Sequence, residues 1–247
     1  MQHVVIIGAT SAMAEHCARL WVQAGPLRLT LVGRDEARTQ RVAADLQVRS
    51  PASAIQVMTT DFVNASAIEQ TVHTITAIAP VDVVLIAHGV LSDQALCQDD
   101  VLACDASLQI NGVSPVLFAE GFAKPMVAAN HGTIAIIGSV AGDRGRKTNY
   151  VYGAAKGLVS RYAQGMQHRL AHTGVKVVLI KPGPTDTPMT SDLKAKGQKM
   201  ASVEQVAQDI VKGIAAGKPV VYTPSIWQII MLVVMHLPRF VFNKLNI

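Results

Sequence analysis

Short apolar runs alternate with longer stretches of helical periodicity along most of the chain. The runs are His3–Ile7, Arg28–Val32, Ala54–Met58, Val83–Ala87, Thr133–Ile137, Lys176–Ile180 and Val220–Tyr222, rich in Val, Ile and Leu. Runs of this length and composition read as strands buried on both faces. Helices are predicted near Ala12–Ala24, Glu36–Val48, Ala65–Ala79, Val101–Ala129, Tyr152–His172 and Val203–Ala216. Strand–helix alternation implies an α/β fold, a doubly wound, seven-stranded parallel sheet with helices on both faces. No internal repeat, low-complexity segment or linker interrupts the rhythm, so residues 1–224 form a single domain.

Residues 225–247 depart from this rhythm. Ile226–Leu237 reads IWQIIMLVVMHL, and Pro238, Arg239, two phenylalanines and Lys244 follow. The apolar run is shorter than the roughly 20 residues that span a bilayer. Three placements remain: packed on the domain's own core, covering a partner subunit, or lying in a membrane interface with Trp227 and the basic residues at the polar boundary.

Composition narrows the function classes. The chain has 247 residues, 50% hydrophobic and 16% charged, enough for one large core and too apolar for disorder. Net charge is +5. No Lys/Arg stripe with interleaved aromatics appears, which argues against nucleic acid, whereas a mild positive bias suits anionic ligands or an anionic membrane surface. Cys17, Cys97 and Cys104 include no CxxC pair and read as reduced thiols. Met1 leads directly into the first apolar run with no charged leader, so a cytoplasmic protein is expected, peripheral at the inner face of the membrane if the tail reaches it. His16, His88, His131, His168, His172 and His236 lack ligand spacing with carboxylates or cysteines, so no metal site is expected.

Candidate chemistry begins at the first strand-to-helix turn, Gly8-Ala9-Thr10-Ser11-Ala12-Met13-Ala14. Small residues at 8, 12 and 14 let the backbone approach a pyrophosphate, and the helix N-terminus supplies amide donors and positive dipole. Only Gly8 of the usual three glycines is present. The second strand ends in Gly33-Arg34-Asp35, where an NAD site would carry an acid on the ribose. The Arg34 guanidinium suits a 2′-phosphate, which favours NADP(H) over NAD(H); its alternative role is to stack on adenine. Asp61-Phe62 follows the third strand and Ala87-His88-Gly89 the fourth, where they would flank adenine and its ribose. Tyr152 lies four residues before Lys156, one helical turn away on the same face. An ammonium there favours the phenolate and lowers the tyrosine pKa towards the working range of a general acid.

The ordered set Gly8-x3-Ala12-x-Ala14, Asp61, Ala87-His88-Gly89, Asn111, Ser139, Tyr152-x3-Lys156 and Pro182-Gly183 resembles the short-chain dehydrogenase/reductase family over residues 1–224. Ser139 stands thirteen residues before Tyr152, the family spacing. Alanines in the first turn and His88, where the family usually has Asn, are departures. The resemblance implies a Rossmann fold and an NAD(P)-dependent oxidoreductase acting on CH–OH groups. By that resemblance Tyr152 donates a proton to a substrate carbonyl, and Ser139 holds the carbonyl oxygen. Lys156 binds the nicotinamide ribose, and Asn111 holds a water linking Lys156 to solvent. Pro182, Gly183, Thr185 and Thr187 sit against the nicotinamide, with Thr187 on its carboxamide. A homodimer or homotetramer through the helices bearing Asn111 and Tyr152 is also implied. Ser191–Met200, with Asp192, Lys194 and Lys196, falls in the family's substrate loop.

Two stretches carry a narrower resemblance: Val140–Gly153 and Val221–Leu245. Both look like the family's reductases that complete 2′-epimerisation of decaprenylphosphoryl-ribose by reducing a 2-keto pentose on a polyprenyl phosphate. That group is associated with NADH, against the direction of Arg34. On this reading the prenyl chain lies along Ile226–Leu237, and Arg144, Arg146 or Lys147 faces the phosphate. The alternative is a soluble reductase of a small ketone, sugar or acyl thioester whose tail serves only oligomerisation.

Overall fold

The structure, a computed structural model, describes residues 1–195 and 197–245. Seven parallel strands form one sheet in the order β3-β2-β1-β4-β5-β6-β7. They are β1 (His3–Ile7), β2 (Arg28–Gly33), β3 (Ala54–Thr59), β4 (Val83–Ile86), β5 (Gly132–Ile137), β6 (Val175–Pro182) and β7 (Val220–Thr223). Helices α1 (Ala12–Ala24), α2 (Glu36–Arg49), α3 (Ala65–Ile78), α4 (Gln94–Asp99), α5 (Val101–Leu108), α6 (Ser114–Ala129), α7 (Tyr150–Arg169), α8 (Ser191–Ala195), α9 (Val203–Ala215), α10 (Ile226–His236) and α11 (Arg239–Phe242) complete the chain. The expected doubly wound fold is therefore present.

Strand alternation separates two cores. Val4, Ile6, Leu29, Leu31, Leu85 and Ile180 face α1, α2 and α9, whereas Val5, Ile7, Val84, Ile86, Ile136 and Leu179 face α3, α6 and α7. Side-chain oxygens of Asp35, Asn64, Asp93, Asp100 and Ser202 accept from the first turns of α2, α3, α4, α5 and α9, satisfying amides that have no intrahelical partner.

The stretch predicted as one helix over Val101–Ala129 is divided. A π turn at Gln109–Val113 joins α5 to α6 and carries Asn111. Among the described residues, Val101–Ala129 is the helix long and apolar enough to cross a membrane. Phe118, Ala119 and Phe122 on it are fully buried in the second core, which accounts for its apolarity. Helix α4 was not anticipated, and α7 begins at Tyr150, two residues before the expected start. Order reverses between β1 and β4, so their C-terminal ends open the crevice in which doubly wound sheets bind ligands.

Candidate active site

At the β1–α1 turn Gly8 adopts φ +85°, and Gly8 N and Ala9 N both donate to Val32 O. A Cβ at Gly8 would fall 2.6 Å from His88 N, so glycine is required there on two counts. Ala12 and Ala14 lie inside α1, and among the described residues Asn130 is the non-glycine with positive φ. The two alanines therefore replace glycine without strain. Ser11 is the N-cap of α1 yet makes no side-chain cap bond, leaving the amides of the first turn, with Thr10 and Met13 beside them, directed at the crevice. An anion such as a pyrophosphate fits this arrangement.

Arg34 is exposed just beyond β2, with its guanidinium carbon 6.0 Å from the Phe62 ring centre. Arg38, one turn further, lines a recess of about 250 Å³ of mixed charge, with Thr10, Arg19 and Arg41 beside Glu15 and Asp45. The sequence reading missed Arg38, although its spacing of four residues from Arg34 was visible. Asp61 is exposed and accepts from Val63 N. Phe62, expected to flank adenine, is instead a core residue, 2% exposed, meeting His88 and Phe118 edge-on. Ala87 and His88 are likewise buried. His88 Nε2 shares a hydrogen bond of 2.8 Å with Ser114 Oγ, while Nδ1 is buried without a partner. Burial holds the imidazole neutral, at a pKa of about 3.

The candidate catalytic residues converge from three elements. Ser139 follows β5 and caps a 3₁₀ turn, Val140–Gly142, by accepting from Ala141 N. That turn lies flush on α7: a Cβ at Gly142 would meet the Lys156 carbonyl at 2.6 Å, and one at Gly153 the Ala141 carbonyl at 2.9 Å. Tyr152 and Lys156 are thereby placed under Ser139. Lys156 Nζ donates to Ile137 O at 3.0 Å and lies 5.8 Å from the Tyr152 ring centre. Burial lowers the Lys156 ammonium to about 8. Asn111 is fully buried; its Oδ1 accepts from Val90 N at 2.8 Å and its Nδ2 donates to Ser107 O at 3.0 Å. Its side chain thus fixes the Gly89–Val90 turn, beneath which Lys156 Nζ passes.

One expectation is corrected at this point. The Tyr152 phenol was expected below its usual value; burial pushes it up to about 12, and a hydrogen bond with Ser139 offsets only part of that. The reason is that Lys156 is held by Ile137 O, while the low-dielectric surroundings penalise the phenolate. The Asn111 side-chain amide bonds protein at both its oxygen and its nitrogen.

Beyond β6, Gly183 N donates to Thr223 O. A Cβ on Gly183 would fall 2.0 Å from Trp227 Nε1, so the indole lies directly on the Pro182-Gly183 backbone. Trp227 therefore faces inward rather than marking a polar boundary. Thr185 is 3% exposed, and its hydroxyl donates to Gly183 O. Thr187 shares its hydroxyl with Thr190. Asp186, Thr187, Ser191 and Lys194 line an open recess of about 590 Å³. Lys194 pairs with Asp186. The side chain of Asp192 and the whole of Lys196 lie outside the described residues.

The basic loop behaves differently from expectation. Arg144 does not face a substrate phosphate. Its guanidinium donates to Val234 O and Leu237 O at the end of α10 and stacks 3.7 Å from the Phe242 ring centre. These carbonyls lie at the C-terminal end of α10, where Val234 O also accepts from Leu237 N and a cation is favoured by the helix dipole. Beside it, Asp143 joins Lys181 and Tyr222 in a buried network. Arg146 Nε is buried without a partner, and Lys147 is exposed.

The short chain dehydrogenase family model matches residues 2–198. The chain belongs to that family. This short-chain dehydrogenase is 26% identical over 242 residues to an uncharacterized oxidoreductase in the mprA 5′ region of Streptomyces coelicolor, spanning 98% of this chain and 95% of that protein. It is 31% identical over 166 residues to an uncharacterized oxidoreductase of Mycobacterium tuberculosis, 67% of this chain and 66% of that protein. A Sphingobium yanoikuyae short-chain dehydrogenase in complex with NADPH superposes with a TM-score of 0.84 at 20% identity, covering 100% of this chain and 97% of that one. Levodione reductase gives 0.82 at 19% identity, over 90% and 95%. The enzyme is an oxidoreductase of the short-chain family, and a nicotinamide coenzyme fits the crevice just described.

Proposed function

We propose that this enzyme reduces a carbonyl on an amphiphilic substrate, favouring NADP(H) with NAD(H) as the alternative coenzyme, and that the substrate is a keto sugar on a polyprenyl phosphate. The bound nicotinamide supplies the hydride. Tyr152, protonated up to about 12, holds the proton that passes to the carbonyl oxygen. Ser139 orients the same oxygen. Lys156 has three ammonium donors, one of them on Ile137 O, and those remaining suit the ribose hydroxyls. Arg34, exposed at the end of β2, supports a 2′-phosphate and hence NADP(H).

The observation that carries the substrate reading is Trp227 on Gly183. It brings an apolar helix to the edge of the catalytic groove, where a prenyl chain has a surface to follow. The resemblance of Val140–Gly153 and Val221–Leu245 to reductases of such substrates supports it. With Arg144 occupied, Arg146 and Lys147 are the cations left for the phosphate. A homo-oligomer through α5 and α7 is part of the proposal, supported by Val101 and Leu102 at 81% and 78% exposure.

The test compares a polyprenyl-phosphate keto-pentose with simple ketones, using both coenzymes. The proposal expects kcat/KM for the lipid-linked substrate to exceed that for small ketones by at least about a hundredfold, a difference of roughly 3 kcal/mol. Equal or better use of small soluble ketones would overturn the substrate reading. Tyr152→Phe is expected to lose about 10²–10⁴ in turnover with the coenzyme Kd unchanged by titration, because it removes only the general acid.

A further inference from the structure

Helix α10 inverts the usual surface pattern. Its inward stripe is Trp227, Met231 and Val234, of which Met231 is 1% exposed. The outward positions, where a globular helix carries polar residues, are apolar: Ile226, Ile229, Leu232 and Val233 are 54–62% exposed, and Phe240 of α11 is 71% exposed. A contiguous apolar face of this kind marks an interaction site. With eleven residues, α10 is about 16 Å long, half of a bilayer's hydrocarbon thickness, so it cannot span one.

Charge decides the occupant. From Ile210 to the last residue the sequence has no aspartate or glutamate, while Arg239 and Lys244 follow the helix. Arg144 ties the loop bearing Arg146 and Lys147 to the same helix end. A second copy on a two-fold axis would set this patch against itself, cation facing cation, with no Asp or Glu from Ile210 onward to pair them. An anionic lipid surface offers acyl chains to the outward face and negative headgroups to its rim.

We infer that α10 and α11 dock this protein on an anionic lipid surface, with α10 parallel to the membrane plane. The clamp from Arg144 to α10 then sets the catalytic groove at the interface.

The test is flotation of the full-length protein, without substrate or coenzyme, on vesicles of phosphatidylcholine alone and with about 30% phosphatidylglycerol. Binding to the anionic vesicles only, weakening as salt rises, is expected. Ile229→Glu with Val233→Glu should lower partitioning at least tenfold at unchanged circular dichroism, and Arg239→Gln or Lys244→Gln should lower it about fivefold each. Wild-type protein that stays unbound on both vesicles, or binds both equally at all salt concentrations, overturns the inference. So does a drop in mass on light scattering of the glutamate variant, which assigns the face to a second copy. The wild-type comparison stands even if the glutamate variant fails to fold. Because no turnover is measured, a failure here leaves the reductase reading untouched, and the ketone comparison leaves this one untouched.

Discussion

At Tyr152 the protein already holds the proton that a reduction requires. Burial keeps the phenol protonated to about 12 and makes the Lys156 ammonium easier to lose, at about 8. Above that value the lysine becomes neutral and one cation leaves the ribose site. The reductive kcat/KM should therefore be level below pH 8 and fall about tenfold per unit well above it. A profile flat to pH 10 would contradict the assignment. The direction follows from the sign of the shift, because a lysine with a lowered pKa loses its charge within the assay range. At the other end of the crevice Arg34 is exposed and aligned with the end of β2. If Arg34 holds the 2′-phosphate as proposed, Arg34→Asp should swing the NADPH/NADH ratio of kcat/KM by at least about a hundredfold, as for a charged hydrogen bond turned repulsive. An unchanged ratio would show that Arg34 only borders the adenine.

Among the elements, the Ser139–Tyr150 connection matters most. It positions Ser139 at one end and reaches α10 through Arg144 at the other. Arg144→Gln removes charge-assisted bonds to two helix-terminal carbonyls, each worth about 1.5–3 kcal/mol. The expected result is a Tm lower by about 5–10 °C together with a reduced kcat, read by calorimetry and turnover. Arg144→Lys should not restore either, since an ammonium lacks the planar face that stacks on Phe242. The strands and most helices were legible beforehand because apolar runs and turn chemistry are local signals. Ser139, Tyr152 and Lys156 were legible because their spacing is fixed along the chain. The π turn at Asn111 was not, because its residues read as one continuous apolar helix. Nor was the role of Arg144, whose partners lie about ninety residues away, or the raised phenol of Tyr152, which depends on what covers it.

For the molecule as a whole, the tail is part of the enzyme's wall rather than an appendage. Met231 is buried against the domain, Trp227 covers Gly183, and Arg144 holds the far end of α10. Burying a methionine side chain contributes about 1.5–3 kcal/mol, and the tryptophan and arginine contacts add a comparable amount. Removing residues 225–247 should therefore lower the Tm by about 10 °C or more. It should also lower kcat/KM for a small soluble ketone, because the Pro182-Gly183 backbone loses its cover whatever the substrate carries. Trp227→Ala in the full chain separates this from any effect of the outward face. It leaves Ile229 and Val233 in place, so vesicle binding should persist while turnover of the small ketone falls. If truncation left both the Tm and that turnover intact, the tail would be an independent docking arm and Trp227 merely its point of attachment.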